Sequence, residues 1–370
     1  MRIVVSAGEA SGRVMLDRFR SEMARLDPAC EVIDMGVAAA LDGVFGFTEG
    51  MRAGQRLRGV LERAEASAAR LAPDLAVLVS FSGLHLPLGR RLRRRGVPVL
   101  YLGPPQVWAW GGWRKRRLRQ AADAVVCLFR FEEEMLRRAG VNAVYCGYPL
   151  SDGVVSTLSR AETLKMLGFW ANDRYVVFLP GSRPAERAYH VPLFESVYKR
   201  LRKLVPDIKG AMVTAEDSSC KMQGGRYRMR GQEAVGALPS VSHDRYDVMR
   251  HADCACAVSG TVTAELALLG VPMVVCYHLP WLSRVLAQAL VRLPYFALPN
   301  ILAGTLLVPE TLEPEPESLA LLLTPLLRDS EERREQVAGL ARVAAELGPQ
   351  GAMARICALA RDLASAGRRP

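Results

Sequence analysis

The stretch CACAVSGTVTAE, residues 254–265, joins an apolar run of strand character to a glycine and then to a helix-like segment. Ser259 is a residue type that commonly begins a helix, and the small residues Gly260 and Thr261 leave that helix end open to a phosphate. Glu265 lies within two turns of the helix start, so its carboxylate is a candidate acceptor for ribose hydroxyls. A helix cap with a purely structural role is the alternative interpretation.

The same succession of strand, turn and helix recurs along the chain. Apolar runs with strand propensity alternate with amphipathic stretches such as Gln55–Leu71 and Leu193–Leu204. This alternation predicts parallel sheets with helices on both faces. The predicted strands are Arg2–Ser6, Leu75–Val79, Pro98–Leu102, Ala124–Leu128, Ala143–Cys146, Tyr175–Leu179, Ala211–Thr214, Cys254–Val258 and Pro272–Cys276.

The chain length and one strandless segment predict two lobes. The 370 residues exceed one ordinary domain and suit two. Because Pro149–Asp173 carries no strand signal, we predict a first lobe at 1–165, a second at 166–335, and a helical tail at 336–370 that packs back across the lobes. The predicted fold class is α/β, with two Rossmann-like, doubly wound lobes and a cleft between them. Ligands of such sheets bind beyond the carboxyl ends of the strands.

The charge of the chain is large and unevenly distributed. The net charge is +11, and Leu86–Gln120 contains ten basic residues and no acidic one. A solvated helix face, a surface for anionic lipid or anionic substrate, and nucleic-acid binding are the three interpretations. No nucleic-acid fold signature accompanies the charge, so we expect no nucleic-acid partner.

Other residue types exclude several classes of site. The eight cysteines form no CxxC pair and are expected to be reduced thiols. The five histidines show no ligand spacing, so we expect no catalytic metal. We expect no cofactor either. The N-terminal MRIVVSAGEASG has no signal-peptide features. Two uncharged stretches, Leu266–Ser283 and Leu293–Pro309, are interrupted by prolines and are not expected to span a membrane.

Two turns at predicted strand ends have the composition of ligand-binding loops. GEASG at 8–12 brings backbone N–H groups close to a ligand, and Glu9 within it could bind a sugar hydroxyl or act as a base. LPGSR at 179–183 ends in Arg183, whose planar fork of donors suits a diphosphate. A tight structural turn and a surface arginine at a helix entry are the respective alternatives.

Two apolar segments contain residues whose side chains are candidates for ligand contact. Asn300 lies in LPNILAG at 298–304, and a buried amide needs hydrogen bonds that a bound uridine or ribose could supply. Trp108 and Trp110 lie in VWAW at 107–110, where they could stack on sugar rings, enter a membrane interface or pack in the core.

Taken in order, several strings resemble the lipid-A-disaccharide synthase family, which are inverting, metal-independent glycosyltransferases of the two-lobed GT-B type. They cover most of the chain: GEASG at 8–12, LPLGRRLRRRGVPV at 86–99, VWAW at 107–110, GYPL at 147–150, LPGSR at 179–183, SGTVTAE at 259–265, LPNILAG at 298–304 and VPE at 308–310. The family joins UDP-2,3-diacylglucosamine to lipid X, 2,3-diacylglucosamine 1-phosphate, and releases UDP and a lipid A disaccharide 1-phosphate.

The resemblance implies roles for particular residues and a place in the cell. It assigns the donor to the second lobe and the phosphorylated, acylated acceptor to the first. The implied donor-binding residues are Gly181, Ser182, Arg183, Ser259, Gly260, Thr261, Glu265 and Asn300, and the implied acceptor-binding residues are Ser11, Gly12, Trp108 and Trp110. It also implies a homodimer that is cytoplasmic and peripheral at the inner face of the cytoplasmic membrane, which it contacts through its basic first lobe.

The chain departs from the family's pattern in motifs of the first lobe, to which the resemblance assigns the acceptor. Two family aspartates, one of them the candidate general base, are replaced in SFSGLH at 80–85, and Arg13 stands where the first motif usually has aspartate. Glu9 and His85 are the candidate replacement bases, beside Arg183 as the third catalytic residue. The alternatives are a related UDP-sugar transferase with a different acceptor and a non-catalytic paralogue that binds a lipid or a partner protein.

Overall fold

The computed structural model describes residues 1–8, 10–36, 50–109, 111–214, 238–278 and 294–366, with the backbone alone for 10, 11 and 50–57. The chain divides into two compact units. The first unit combines Met1–Asp152 with Leu347–Pro370, and the second unit is Gly153–Glu346.

The first unit is built on a parallel sheet whose six described strands have the order β2-β1-β3-β4-β5-β6. Its strands are β1 Arg2–Ala7, β2 Glu31–Asp34, β3 Leu75–Val79, β4 Val99–Leu102, β5 Ala124–Cys127 and β6 Ala143–Tyr145. Its helices are α1 Ala10–Leu26, α2 Gly50–Leu71, α3 Ser82–Arg94, α4 Arg114–Ala121, α5 Arg130–Arg138 and the C-terminal α13 Ala352–Ala366.

The second unit is built on another parallel sheet, whose six described strands have the order β12-β11-β10-β7-β8-β9. Its strands are β7 Tyr175–Leu179, β8 Lys209–Val213, β9 Ser240–Val241, β10 Cys254–Val258, β11 Met273–Cys276 and β12 Glu310–Thr311. Its helices are α6 Arg160–Leu167, α7 Pro184–Leu204, α8 Arg245–Arg250, α9 Thr261–Leu269, α10 Leu298–Ala303, α11 Pro316–Leu326 and α12 Glu331–Glu346.

Burial on both faces explains why the central strands are continuous apolar runs. Along β7, Tyr175, Val177 and Leu179 belong to one hydrophobic cluster, and Val176 and Phe178 belong to another. Alternate side chains of a strand point to opposite faces, so helices cover both sides of the sheet. Each such side chain contributes about 1.5–3 kcal/mol on burial. The arrangement confirms the predicted α/β class with two doubly wound lobes.

The boundary between the units falls at 152/153, and local hydrogen bonds explain this position. The Asp152 carboxylate accepts from the backbone N–H groups of Gly351 and Met353, which ties it to the first unit. Asp247 accepts from the N–H groups of Thr157 and Leu158, which ties the following segment to the second unit. The segment that the sequence predicted to end the first lobe at 165 therefore lies in the second unit.

The C-terminal tail consists of two helices, whereas the sequence predicted one helical tail at 336–370. Helix α12 ends at Glu346 in the second unit, and α13 begins at Ala352 in the first. Gly348 and Gly351 between them have φ angles of +77° and +83°, which a continuing right-handed helix does not allow. Within the first unit α13 packs against α1 and β3.

Candidate functional site

The second sheet has a topological switch point between its neighbouring strands β7 and β10. The chain continues from β7 to β8 on one side and from β10 to β11 on the other. Ala257 of β10 pairs in register with Leu179 of β7, so the carboxyl ends of both strands reach the same edge. Connections that leave two neighbouring strands in opposite directions open a crevice, where open α/β sheets bind ligands. The junctions after these two strands therefore form the candidate site.

The junction after β7 holds an exposed arginine at the start of α7. Gly181 has a φ of +99°, and a Cβ atom added there would lie 2.6 Å from Glu186 Oε2, so only glycine fits. Glu186 accepts from the Arg183 backbone N–H at 3.2 Å and from its guanidinium at 3.1 Å. Because the Arg183 side chain is 70% exposed, this ion pair is weak and leaves other N–H donors accessible.

The junction after β10 leaves a helix end open. The Ser259 hydroxyl donates to the Phe296 carbonyl at 3.0 Å, so the sequence was wrong to predict that Ser259 caps the helix. Gly260 occupies the N-cap position of α9, and no side chain of a described residue caps it. A Cβ atom added to Gly260 would meet no described atom within 4 Å. The first N–H groups of α9 are therefore accessible to an anion, which the helix dipole favours.

Tyr277 contacts the arginine of the first junction, and neither it nor Tyr189 and His278 was predicted from the sequence. The Tyr277 side chain is hydrogen bonded to Arg183, and its pKa is raised by burial first and by the nearby Glu186 carboxylate second. The ring of His278 stacks on Tyr189 of α7, with the centroids 3.8 Å apart. Tyr277 and His278 directly follow the buried strand β11, and this position after a strand was the available sequence signal.

Glu265 lies in α9 and is engaged by neighbouring side chains. It is 5% exposed and accepts hydrogen bonds from Arg245 Nη2 at 3.1 Å and from the Tyr246 hydroxyl at 3.2 Å. Both partners line a cavity of about 370 Å³ beyond the carboxyl end of β9, together with Val155, Thr157 and the rest of the 242–247 segment. Glu265 therefore organises residues of a cavity wall in the second unit.

Asn300 is fully buried, and the protein itself satisfies its amide. Its Nδ2 donates to the Val308 carbonyl at 2.9 Å and to Glu310 Oε2 at 3.0 Å. Its Oδ1 accepts from the N–H groups of Leu307 and Val308, each at 2.8 Å. All four hydrogen bonds that an asparagine side chain ordinarily makes are thus formed within the chain. This geometry corrects the expectation that a uridine or ribose is the partner of Asn300.

The first sheet has its own switch point, between β1 and β3. Ala7 pairs in register with Val79, and the junctions at Gly8 and Ser80 follow. Ser80 and Phe81 both adopt the left-handed conformation, with φ angles of 54° and 46°, which costs about 1 kcal/mol or more per residue. The Phe81 ring lies against Gly8, where an added Cβ atom would come within 2.4 Å. Glu9, the next residue, lies outside the described residues.

His85 lies in the core beneath this switch point. Its side chain is fully buried, with Nδ1 2.8 Å from the Ser80 carbonyl oxygen and Nε2 2.8 Å from the Ser6 hydroxyl oxygen. A carbonyl only accepts, so Nδ1 carries the proton and Nε2 accepts from Ser6. Burial lowers the pKa of His85 to about 4. Both ring nitrogens are occupied and shielded from substrate, which corrects the expectation that His85 could act as a base.

The predicted acceptor residues have different environments. Gly12 is buried in α1, where an added Cβ atom would lie 3.6 Å from side-chain atoms of Ala7 and Val79, so it packs the helix on the sheet. Ser11 lies in the same helix, but its side chain is outside the described part, as is Trp110. Trp108 is half-buried on the loop after β4.

A buried carboxylate, not predicted from the sequence, holds the Trp108 loop. Glu132 Oε1 accepts from the Trp108 indole N–H at 2.8 Å. Its Oε2 accepts from the backbone N–H groups of Leu128 at 2.9 Å and Phe129 at 3.1 Å. Burial raises the pKa of Glu132 to about 7, against these hydrogen bonds, which lower it. Glu132 therefore connects the loop after β4 to the start of α5.

Among the helices that the structure describes, we find none with the length and apolarity needed to cross a membrane.

Comparisons with known proteins agree on one family. Residues 3–360 match the family model described as lipid-A-disaccharide synthetase. A lipid-A-disaccharide synthase from Solibacter usitatus is 35% identical, with 96% of this chain and 95% of the relative covered. One from Geobacter metallireducens is 33% identical, with 98% and 97% covered.

Solved structures agree on the fold. A UDP-GlcNAc 2-epimerase from Neisseria meningitidis superposes with a TM-score of 0.62 at 12% identity, over 98% of this chain and all of that one. A protein described as a putative UDP-N-acetylglucosamine 2-epimerase from Listeria monocytogenes superposes with a TM-score of 0.60 at 14% identity, over 96% of this chain and 95% of that one. At these identities the likeness extends to the architecture alone.

Proposed function

The chain belongs to the lipid-A-disaccharide synthase family of glycosyltransferases, and on this premise we propose that it joins UDP-2,3-diacylglucosamine to lipid X and releases UDP and lipid A disaccharide 1-phosphate. One observation carries the proposal. An exposed guanidinium, that of Arg183, and the open amino end of α9 follow two neighbouring strands at one switch point. Both are suited to the diphosphate of a nucleotide sugar.

In the proposed donor complex, the diphosphate lies against these two junctions. Arg183 binds it bidentately, and the backbone of Gly181 and Ser182 approaches it closely. Ser259, Gly260 and Thr261 surround the helix end that neutralises its charge. Glu265 lies nearer the ribose, beside the cavity lined by Arg245 and Tyr246, and Asn300 maintains the shape of the supporting loop without contacting the ligand.

The proposed reaction is a single displacement with inversion. The acceptor hydroxyl oxygen forms a bond to the anomeric carbon of the donor while the bond from that carbon to the diphosphate breaks. The hydroxyl proton passes to a base, and the electron pair leaves with UDP. Arg183 and the α9 amides stabilise the negative charge that develops on the leaving group, so the proposed step requires no metal.

Glu9 is the residue that we propose as the base. His85 does not reach the substrate as a base, because its ring is buried and both nitrogens are bonded within the chain. Glu9 directly follows Gly8 in the sequence, and Gly8 lies just beyond the carboxyl end of β1 at the switch point of the first sheet. Ser11 and Gly12 follow in the same turn and helix, and Trp108 and Trp110 are proposed to contact the acylated acceptor.

We further propose that the protein is a cytoplasmic homodimer, peripheral at the inner face of the cytoplasmic membrane, that does not bind nucleic acid. The dimer rests on the family resemblance. Membrane contact is supported by the basic 86–120 segment and by Trp113, which is 60% exposed with the Arg117 guanidinium 4.4 Å from its ring centroid. A tryptophan beside cations is typical of residues at a membrane interface.

Calorimetric titration with UDP tests the donor site. We expect Arg183→Ala to weaken binding about 10- to 100-fold, since a hydrogen bond to a charged group is worth about 1.5–3 kcal/mol. Arg200→Ala is the matched control, because this exposed arginine lies on the same helix and pairs only with an exposed Glu317 among the described residues. Absence of UDP affinity in the unaltered protein would refute the proposal.

Incubation with UDP-2,3-diacylglucosamine and lipid X tests the acceptor. Formation of the disaccharide with stoichiometric UDP supports the proposal, and its loss in Glu9→Gln supports the assigned base. UDP binding with turnover only on another acceptor would indicate a related transferase. UDP binding without any turnover would indicate a non-catalytic paralogue.

A further inference from the structure

A cavity of about 550 Å³ opens in the first unit, away from the switch point of its own sheet. It is lined by the last turn of α3, the turn that follows, the last turn of α4 and Asp123. These segments lead into the amino ends of β4 and β5. The sheet is parallel, so the cavity lies at the edge opposite the carboxyl ends of its strands.

Four arginines line this cavity, and one of them is committed to the fold. Arg93 pairs with the Asp123 carboxylate at 2.8 Å and donates to the carbonyls of Arg119 and Gln120. Asp123 in turn accepts the backbone N–H of Val99 at 2.8 Å. Arg93 and Asp123 therefore clamp α4 to the start of β4, and their charges largely cancel.

The other three arginines are not committed. Arg90, Arg94 and Arg119 are exposed, and no hydrogen bond or ion pair with any described residue holds their guanidinium groups. By contrast, the neighbouring Arg91 and Arg95 both pair with Glu65. Arg90, Arg94 and Arg119 thus differ from Arg91 and Arg95, although all five belong to one basic segment.

The charge balance of the cavity favours a dianion. Helices α3 and α4 both end at the cavity, and each helix end contributes about half a negative charge. The three guanidiniums, less these two helix ends, leave about two positive charges in a concave space, where the field is focused. A phosphate monoester carries about two negative charges at neutral pH. A cavity of this volume also has room for the group that bears the phosphate.

We propose that Arg90, Arg94 and Arg119 form a phosphate-binding site distinct from the proposed donor and acceptor sites. Its ligand is a molecule that presents a phosphate group, either the headgroup of an anionic lipid or a free phosphorylated compound. The guanidinium forks bind the phosphate oxygens bidentately, and Arg93 fixes the wall behind them. This site goes beyond the proposed glycosyl transfer and takes no part in its chemistry.

The test compares two charge-matched double variants. Arg94→Gln with Arg119→Gln removes two cavity charges, whereas Arg20→Gln with Arg361→Gln removes two exposed charges on α1 and α13 of the same unit. Binding of glycerol 1-phosphate is measured by calorimetry at constant ionic strength in chloride. Binding to phosphatidylcholine vesicles with and without phosphatidic acid, whose headgroup is a phosphate monoester, is measured by co-sedimentation. UDP affinity is measured in parallel and is expected to be unchanged in both double variants.

We expect the cavity variant to lose about tenfold or more in glycerol 1-phosphate affinity, and the control to retain it. Parallel loss of binding to phosphatidic acid vesicles would identify a lipid headgroup, and retained vesicle binding would identify a free phosphorylated ligand. Equal losses in both variants would show diffuse electrostatic attraction and overturn the proposal. Absence of binding of either probe to the unaltered protein would overturn it as well. Unchanged UDP affinity separates these outcomes from a failure of the proposed glycosyl transfer.

Discussion

Substitution of Glu132 by glutamine tests whether a buried carboxylate holds the loop that carries Trp108. The carboxylate accepts three N–H donors, the Trp108 indole on one oxygen and the amides of Leu128 and Phe129 on the other. Glutamine has one acceptor oxygen, so its amide group must face an N–H donor on one side. Such a mismatch in a buried position costs about 1–3 kcal/mol. Since two of the three donors lie on one side, we expect the Trp108 indole to lose its partner.

The ionisation of Glu132 also makes the stability of the protein depend on pH. Burial raises the pKa of Glu132 from its ordinary value of 4.5 to about 7. Between these pH values the folded protein binds this proton more tightly than the unfolded chain does, so the free energy of unfolding falls as pH rises. The difference between the two pKa values corresponds to about 3 kcal/mol, reached once the pH exceeds 7. Glu132→Gln removes this contribution.

Urea unfolding at about pH 5 and pH 8 measures the effect. All other titrating groups are common to both proteins, so the difference between wild type and Glu132→Gln isolates Glu132. On going from the lower to the higher pH, we expect the free energy of unfolding of the variant to rise by about 2–3 kcal/mol relative to that of the wild type. Glu134→Gln is the control, because this exposed carboxylate lies on the same helix and pairs with Arg138. Equal pH dependence in wild type and Glu132→Gln, or an unchanged Trp108 indole resonance, would refute the reasoning.

Three further substitutions separate ligand contacts from supporting structure. The Gly260→Leu variant should retain the thermal midpoint of the wild type, because the φ of 164° at Gly260 is extended backbone with open space around the Cβ position. Its calorimetric affinity for UDP should fall about tenfold or more, because the side chain covers the helix end. Retained affinity would place the diphosphate elsewhere. Asn300→Ala should lose about 2–4 kcal/mol in urea unfolding, with little change in UDP affinity of the folded protein; the reverse pattern would make Asn300 a ligand contact. The folded His85→Gln variant should keep the wild-type pH–rate profile between about pH 5 and 8. Loss of one limb of that profile would indicate that His85 is the base.

Central strands were predictable from local sequence, whereas of the four edge strands that the structure describes only Ala143–Tyr145 was predicted. Leu75–Val79 and Cys254–Val258 have the predicted bounds, because all five residues of each are buried and must therefore be apolar. Glu31–Asp34 and Glu310–Thr311 were missed because they are edge strands without a buried apolar run. Such short edges form by pairing with a strand that is distant in sequence, and their own composition carries little signal.

The residues of the candidate site also differ in whether the local sequence is enough to predict their role. The position of Arg183 and Gly260 after a buried strand is a local property, and both residues keep their place in the proposed donor site. Whether a buried polar group has a partner depends on residues far along the chain, such as Ser6 for His85 or Tyr246 for Glu265. A polar residue within an apolar run is therefore as often one that forms hydrogen bonds within the protein as one that binds a ligand.

Accessible donors at a switch point are the better criterion for this fold. A ligand gains most from N–H groups that the protein leaves without an acceptor, because a donor already bonded must first give up its partner. At the second sheet's switch point, the exposed fork of Arg183 and the first amides of α9 meet this criterion. Asn300 and His85, whose polar atoms are all engaged, do not. The departures from the family at 80–85 accordingly bear on the proposed acceptor half and the proposed base, whereas the proposed diphosphate site depends on junctions that those departures leave unchanged.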